Sequence, residues 1–313
     1  MLCTMNHKNA RYNALESKND AFSQVLQLLK LDVAIYHNAK VCGNWRIDEH
    51  SIGATCFHIV TESRCSLDVP GHFNGVLECG DLVIFPRELT HDMQPITALS
   101  GEQQHLDYNA AALMEGTGLL CGEVRFQHKG YRYLLGALPP VFIIRCHESM
   151  GWLKSLLDMI VLENHQTGAA SKVILNRLSE LLFTYAVRQH LTANPKEVGF
   201  LALYGHPRLA DAINAVHQAP EKDWTLEKVA EQAAFSRSSF AGTFKKVSGW
   251  TVGQYLNWWR MQLAWSLLSE GNSVLQVATK VGYKSESAFS RAFKNEFLIS
   301  AGKVRRGEEG RAA

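Results

Sequence analysis

The sequence predicts an α+β chain in three parts: a β-barrel or sandwich, an antiparallel pair of helices, and an all-α C-terminal domain. Three observations carry this. Short segments of alternating apolar residues, broken by turn residues, recur from about Tyr36 to Cys146. Two longer runs with apolar residues at three- and four-residue spacing follow, at 150–165 and 171–191. Beyond Leu201 the pattern is helical, and one stretch of it is written twice.

Taken in order, residues 1–20 read as a polar leader without the apolar core of an export signal, so a cytoplasmic location is expected. AFSQVLQLLKL (21–31) has the spacing of a short amphipathic helix. ATCFHIV, CSLDVPG, GVLECGDLVIFP, TGLLCGEVRF and PPVFIIRC then read as the strands of an all-β domain. Gly80-Asp81 turns into one of these strands and Pro86 ends it. The helical runs MGWLKSLLDMIVLENH and SKVILNRLSELLFTYAVRQHL are joined by the short QTGAA, which predicts antiparallel packing. The polar TANPKEVGF (192–200) marks a boundary. The expected organisation is therefore a leader (1–20), a β-rich domain with its helix pair (21–192), a helical domain (201–306) and a tail (307–313).

A chain of 313 residues suits two domains. Hydrophobic residues at 46% and charged residues at 20% exclude a largely disordered chain. No run of eighteen uncharged apolar residues occurs, so neither a spanning helix nor a membrane partner is expected. Of 32 basic and 30 acidic residues, 15 and 10 lie from Leu201 onward, leaving 17 and 20 before it. A basic end behind an acidic body points to a polyanionic partner. The seven cysteines (Cys3, Cys42, Cys56, Cys65, Cys79, Cys121, Cys146) are odd in number and lack a C-x-x-C pair, which reads as reduced, mostly buried thiols.

The duplicated stretch sets EKVAEQAAFSRSSFAGTFKKVSG beside LQVATKVGYKSESAFSRAFKNEF. Ala230 matches Ala278, Phe235 matches Tyr283, Phe240 matches Phe289 and Phe244 matches Phe293, at an offset of 48 residues and then 49. Each copy reads as a helix of about eight residues, a tight turn and a longer helix. The alanines allow close helix crossing, and the aromatics four apart share one face and supply a core. Ser236 and Ser285 are the expected N-caps of the longer helices. Opposite the aromatic face lie Ser238, Ala241, Gly242, Lys245 and Lys246 in the first copy, and Glu286, Ser287, Ser290, Arg291 and Lys294 in the second. A capped helix with small polar and basic residues on its free face suits a major groove, so both copies read as helix-turn-helix units. Between them TVGQYLNWWRMQLAWSLLSEG predicts a long helix with an apolar stripe of Tyr255, Leu256, Trp259, Leu263, Leu267 and Leu268. It would span roughly 25–30 Å, near the ~34 Å between successive major-groove faces. The same pattern seen once would equally suit a helical adaptor for proteins.

These residues resemble the AraC/XylS-type bacterial transcription regulators over about Gly205 to Arg306. WTLEKVAEQAAFSRSSF, F-x-x-x-x-G, YLxxWRMxxAxxLL and VATKVGYxSESAFSRAFK carry the match, and HPRLADAINAVHQAP is similar to the family's opening helix. The resemblance implies double-stranded promoter DNA as partner, two adjacent major grooves as the footprint, RNA polymerase as a further partner, and activation as the commoner outcome. Upstream, GDLVIFPRELTH, LLCGEVRF and RYLLGALPPVFII are similar to the cupin-like sensor domain of one branch of these regulators, which includes some that respond to reactive chlorine through thiols. Residues 21–192 would then receive a small molecule or an oxidant. Cys42 and Cys121 fall near positions where relatives carry cysteine and are the redox candidates. The helix pair would make a homodimer contact, as in relatives, or pack on its own barrel.

The resemblance assigns the DNA-facing roles to Arg237, Ser238, Gly242, Lys245, Lys246, Glu286, Ser287, Ser290, Arg291 and Lys294. Base discrimination is expected mainly from Glu286, Ser287, Ser290 and Arg291, because Ala241 and Gly242 stand where relatives often carry larger polar residues. Two departures stand out. Val252 replaces a proline at the start of the long helix, and FLISAGKVR replaces a Gly- and Pro-bearing ending, with Leu298, Ala301 and Val304 as substitutes. Losing these residues should loosen the closing helix without removing the reading helix.

The alternative from another class is a cupin-type metal enzyme with an accessory helical module. His91 invites it, but His58 and His72 stand alone in sequence and Glu78 is isolated, short of the three ligands and open position that metal catalysis needs. His91 reads instead as a histidine at a barrel mouth. No nucleophile elbow, P-loop or dinucleotide turn occurs. No enzymatic activity, metal or cofactor is expected.

Overall fold

A computed structural model describes residues 20–28, 31–48, 54–97, 99–126, 131–149, 151–165, 168–193 and 199–308. The leader through residue 19, the centre of the polar boundary and the last five residues of the tail lie outside them. The chain divides into two compact units, Leu29–Gly205 and His206–Ala313 with Met1–Leu28.

The first unit is built on strands β1 (Leu31–Cys42), β2 (Thr55–Glu62), β3 (Arg64–Val69), β4 (Phe73–Glu78), β5 (Leu82–Phe85), β6 (Asp92–Gln94), β7 (Gln104–Leu106), β8 (Gly116–Phe126) and β9 (Phe142–Ile144). They pair in two antiparallel sheets, β7-β1-β8-β2-β5-β9 and β4-β3-β6. The larger sheet is covered on both sides. Alternate residues of β2, β5 and β8 (Cys56, Val60, Val83, Phe85, Leu119 and Cys121) meet the small sheet through Leu67, Val69, Leu77 and Met93. The intervening ones (Phe57, Ile59, Leu82, Ile84, Leu120 and Val124) face helices. A strand buried on both faces has no polar alternation to show, which is why ATCFHIV and LVIF read as unbroken apolar runs.

A short helix α2 (Arg132–Gly136) precedes β9. The predicted helix pair is present as α3 (Trp152–His165) and α4 (Ser171–Ala193), followed by α5 (Ala202–Gly205). Leu153, Leu156, Leu157, Ile160, Leu182 and Ala186 bury against the outer face of the large sheet, so the pair packs on its own barrel. The Gly80-Asp81 turn is held by the buried Asp81 carboxylate, which accepts from the Glu78 and Cys146 N–H groups and from Arg145 Nη1 at 2.7–2.9 Å.

The second unit contains α1 (Ala21–Leu28), α6 (Leu209–Gln218), α7 (Leu226–Gln232), α8 (Arg237–Ser248), α9 (Val252–Ser269), α10 (Val274–Lys280), α11 (Glu286–Phe297) and α12 (Ala301–Arg305). The sequence grouped 21–31 with the β-rich domain. Here α1 lies with the helices, its first N–H donating to Asn214 Oδ1 of α6 at 2.7 Å. That bond supplies one of the partners a helix start otherwise lacks.

The apolar stripe of α9 needs correction. Leu256, Leu263 and Leu267 are half-buried, whereas Trp258, Met261, Ala264 and Trp265 join Tyr255, Trp259 and Leu268 inside. The helix serves two cores on different faces, so a single-stripe pattern mislabels it. Its amino-terminal half meets α8, with Phe244 and Tyr255 ring centroids 5.9 Å apart. Its carboxyl-terminal half meets Val277, Ala278, Phe289, Phe293 and Phe297.

Candidate nucleic-acid interface

Both longer helices of the repeat begin where the sequence places their caps. Ser236 Oγ accepts from the Ser239 N–H, and Ser285 Oγ from the Ala288 N–H. The bond occupies one of the unpaired amides at each helix start and leaves the rest of the first turn facing outward. The aromatic backing is also as read: Phe240, Phe244, Phe289 and Phe293 are fully buried, with centroids 5.7 Å apart within each pair. Ala230 and Ala278 are buried where the short helices α7 and α10 cross their partners.

The substitutions at the family's proline and glycine positions are absorbed locally. Val252 opens α9 behind Thr251, whose side chain forms a reciprocal capping box with Gln254, so a preset φ is replaced by two hydrogen bonds. Leu298 takes the left-handed conformation a C-capping glycine would adopt, at φ 62°, its N–H bonding to the Lys294 carbonyl. α12 is a helix of five residues, its N-cap Ser300 making no side-chain cap bond, yet Ala301 and Val304 are buried in the second core.

Of the residues expected to face DNA, Arg237, Ser238, Gly242, Lys245, Lys246, Glu286, Ser287, Arg291 and Lys294 are exposed, and Ser290 is half-buried. The two units present them differently. Arg237 Nε is 2.9 Å from Glu227 Oε1, and Lys245 donates to the Gly249 carbonyl at the end of its own helix. Among the described residues Arg291 and Lys294 form no ion pair. Cationic charge on the second unit is therefore available, while much of that on the first is already engaged. The small Ala241 and Gly242 on α8 widen this difference between the two exposed flanks. A Cβ added at Gly242 would meet nothing within 4 Å outside its own helix, so its surface is open for close approach.

The redox candidates sit in the other unit. Cys42, at the end of β1, and Cys121, in β8, are both buried. Burial pushes the Cys121 thiol well above its usual range, disfavouring the thiolate that reacts with oxidants. The exposed thiol among those described is Cys79, with Cys146 half-buried nearby. Exposure is a property of the fold that cysteine spacing does not carry.

His91 is not at a barrel mouth. It is buried, its ring stacked on Phe85 at a centroid distance of 4.2 Å and its Nε2 3.2 Å from His58 Nε2. Cys56, His58 and Glu88 are also buried and lie together. Sequence spacing hid this because the four residues come from a strand and a loop that pair only in the fold.

Comparison with known proteins agrees with this division of labour. A cupin family model matches residues 20–192 and a helix-turn-helix domain model matches residues 229–307. The chain is 30% identical over 293 residues to the RCS-specific HTH-type transcriptional activator RclR of Escherichia coli (strain K12), covering 91% of this chain and 97% of that one. It is 32% identical over 298 residues to the HTH-type transcriptional regulator AlkR of Acinetobacter baylyi, covering 89% and 96%. A putative AraC-like transcription regulator of Streptomyces lividans is 31% identical over 301 residues, covering 92% and 98%. The alternative of a cupin enzyme finds no support among these relatives. No helix of the described residues is long and apolar enough to cross a membrane.

Proposed function

The chain belongs to the AraC-type helix-turn-helix transcription regulators with an N-terminal cupin domain, and we propose that it works by laying α8 and α11 in successive major grooves of one promoter site. The observation that carries this is the pair of capped, aromatic-backed helices sharing α9, each with its polar flank in solvent. Eighteen residues of α9 correspond to about 27 Å of helix, close to the ~34 Å repeat of the groove.

Within this reading residues 201–306 form the DNA-binding domain and 21–192 the sensor. Arg237, Lys245, Lys246 and Lys294 neutralise phosphates, with Ser238 and Gly242 against the backbone, and Arg237 exchanges Glu227 for DNA on binding. Arg291 donates to guanine O6 and N7, and Glu286, Ser287 and Ser290 complete the base contacts. The partner beyond DNA is RNA polymerase, recruited for activation. The signal enters at the cupin domain as a small molecule or as oxidation of Cys42 or Cys121, thiols that oxidant reaches only when the barrel opens.

A homodimer is supported by what the helix pair leaves uncovered. After α3 and α4 pack on the sheet, Leu162 (58% exposed) and Val173 (61%) remain in solvent with Met159, Ile174 and Leu181. Exposed apolar side chains on a helix pair suit contact with a second copy of the same surface.

The test is a footprint of the full chain on genomic DNA, followed by variants at the site found. Arg291→Ala should cost about 1–3 kcal/mol at one base pair and relax preference there. Lys294→Ala should weaken all sequences alike and reduce the salt slope by about 1. Unchanged affinity and preference in Arg291→Ala would remove the base-reading role.

A further inference from the structure

Both helix-turn-helix units pack on α9, and a polar joint on one side of that helix ties them to each other. Asn257 and Arg260 stand three residues apart on α9 and so share one side of it. Arg260 is half-buried and reaches the loop between α6 and α7. There its Nε donates to the Pro220 carbonyl and its Nη2 to the Lys222 carbonyl, both at 2.9 Å. This loop is fastened to the first unit. Trp224 Nε1 donates back to the Ala219 carbonyl at 2.8 Å, and Lys228 Nζ of α7 donates to the Asp223 carbonyl at 2.8 Å. The same guanidinium lies against the turn of the second unit. Gly282 is so close that a Cβ there would stand 3.0 Å from Arg260 Cζ. The next residue, Tyr283, donates its hydroxyl to Asn257 Oδ1 at 2.9 Å, and its ring meets Phe289 of α11 edge-on at a centroid distance of 5.6 Å.

We propose that Arg260, supported by Asn257 and Tyr283, is a positioning residue that holds the two reading helices in phase, so that the protein accepts one spacing between its two groove contacts. The proposal rests on the two-groove reading above and names the residues that set its specificity for spacing. α9 fixes a distance, but apolar burial on its faces is non-directional. A guanidinium is a planar fork, and two carbonyls bonded to it fix an orientation as well. The step to be discriminated is small. One base pair moves a groove contact by about 3.4 Å along the duplex and turns it by about 35°.

A contrast within the repeat sets Arg260 apart. The matching turn of the first unit also has a guanidinium, that of Arg208 at the N-cap of α6. It donates to the Ala233 carbonyl at 3.1–3.2 Å and lies over the Phe235 ring. Those partners belong to the first unit, so Arg208 braces a single turn. Arg260 instead spans the entry to the first unit and the turn of the second. Lysine in its place keeps the charge but loses the fork, and a point donor on a flexible stem cannot hold both carbonyls in one plane. The Tyr283 hydroxyl adds a second tie between α9 and the same turn, exposed and therefore weaker.

The experiment measures the affinity of the full chain for three duplexes: the footprinted site, that site with one base pair inserted between the two groove contacts, and that site with one half scrambled. For the wild type, insertion and scrambling should each weaken binding by about tenfold or more. Arg260→Lys should bind the intact site about tenfold more weakly, bind the half-scrambled site within about twofold of the wild type, and lose most of the insertion penalty. Tyr283→Phe should move the same ratios in the same direction by about two- to threefold, and Asn257→Asp, which keeps an acceptor for the hydroxyl, should behave as the wild type. A merely structural role would lower affinity for all three duplexes alike and leave their ratios unchanged. Far-UV circular dichroism reports folding, and if Arg260→Lys does not fold, Tyr283→Phe carries the test. A wild type indifferent to both insertion and scrambling would sink the two-groove reading and the joint with it. A wild type that discriminates, beside folded variants that discriminate as sharply, would overturn the joint alone.

Discussion

The two helix-turn-helix units share a plan and solve its backbone problems in opposite ways. In the first, the turn after the short helix holds Ala234 at φ 52°, and the longer helix ends on Gly249 at φ 77°. In the second, the turn holds Gly282 at φ 81°, and the longer helix ends on Leu298 at φ 62°. Each unit therefore has one glycine and one ordinary residue in the left-handed region, at exchanged places. A non-glycine residue there costs roughly 1–2 kcal/mol, so each must be held by its surroundings. Ala234 is held by Arg208, whose guanidinium donates to the Ala233 and Ala234 carbonyls and lies 3.5 Å from the centroid of the Phe235 ring. In the second unit the corresponding space is filled. Arg260 bonds the Pro220 and Lys222 carbonyls at 2.9 Å, and its guanidinium passes beside Gly282.

The largest expected difference follows from that crowding. A Cβ on Gly282 would stand 2.6 Å from Arg260 Nη2 and 2.9 Å from the Glu221 carbonyl oxygen, a backbone atom that cannot simply rotate away. Gly282→Ala should cost about 2 kcal/mol or more, from strain at positive φ together with this displacement. Ala234→Gly should change stability by less than about 1 kcal/mol, because relief of strain is offset by greater freedom in the unfolded chain. Denaturant unfolding followed by the tryptophans of α9 measures both. Equal effects at the two positions would show that the turns are equivalent after all.

The cores differ as well, and pH separates them. The first is lined by His217, stacked on Trp259 at 3.5 Å with Nε2 2.6 Å from the Tyr255 hydroxyl. Among the described residues, no titratable side chain of α10, α11 or α12 is fully buried beside the second core. Burial holds His217 well below its ordinary value of 6.5, so it is neutral when folded and takes up a proton on unfolding. The unfolded state binds more protons below that value, so stability is full above about pH 6.5 and falls as pH decreases, approaching about 1.4 kcal/mol per pH unit. Amide exchange in α6, α7 and α8, corrected for intrinsic rates, should accelerate from about pH 7.5 to 5.5 relative to α10 and α11. His217→Gln should remove that difference; its persistence would assign the pH effect elsewhere.

Much of this was legible in sequence because the repeat displays the same constraints twice. Small residues at 230 and 278, aromatics four apart and serine caps each have a local physical cause, and together they mark the helices and their outward faces. The shape of α9 was not legible, since Trp258 and Trp265 serve different partners around one helix. The same limit explains the β-unit. His58 looks isolated because its neighbours Glu88 and His91 reach it through antiparallel pairing of β2 with β5, a long-range contact that spacing along the chain cannot express. The engagement of Arg237 by Glu227 was hidden for the same reason, whereas the burial of Cys121 follows from its place inside a strand.

The smallest expected effect tests the other half of the exchange. Leu298 is 78% exposed and holds its left-handed conformation through one N–H bond to the Lys294 carbonyl. Its side chain contributes little packing, so Leu298→Gly removes strain at almost no cost in burial. The gain is reduced by the added freedom of glycine in the unfolded chain, which leaves a net stabilisation of about 0.5 kcal/mol. Gly249→Ala, at the matching place in the first unit, meets no atom within 4 Å, so strain alone should destabilise it, by about 1 kcal/mol. Opposite signs at matched positions, read from unfolding midpoints at constant m-value, are what the exchanged design requires. A loss of stability in Leu298→Gly would mean that the leucine is held by packing after all, and that the second unit closes by a different mechanism from the first.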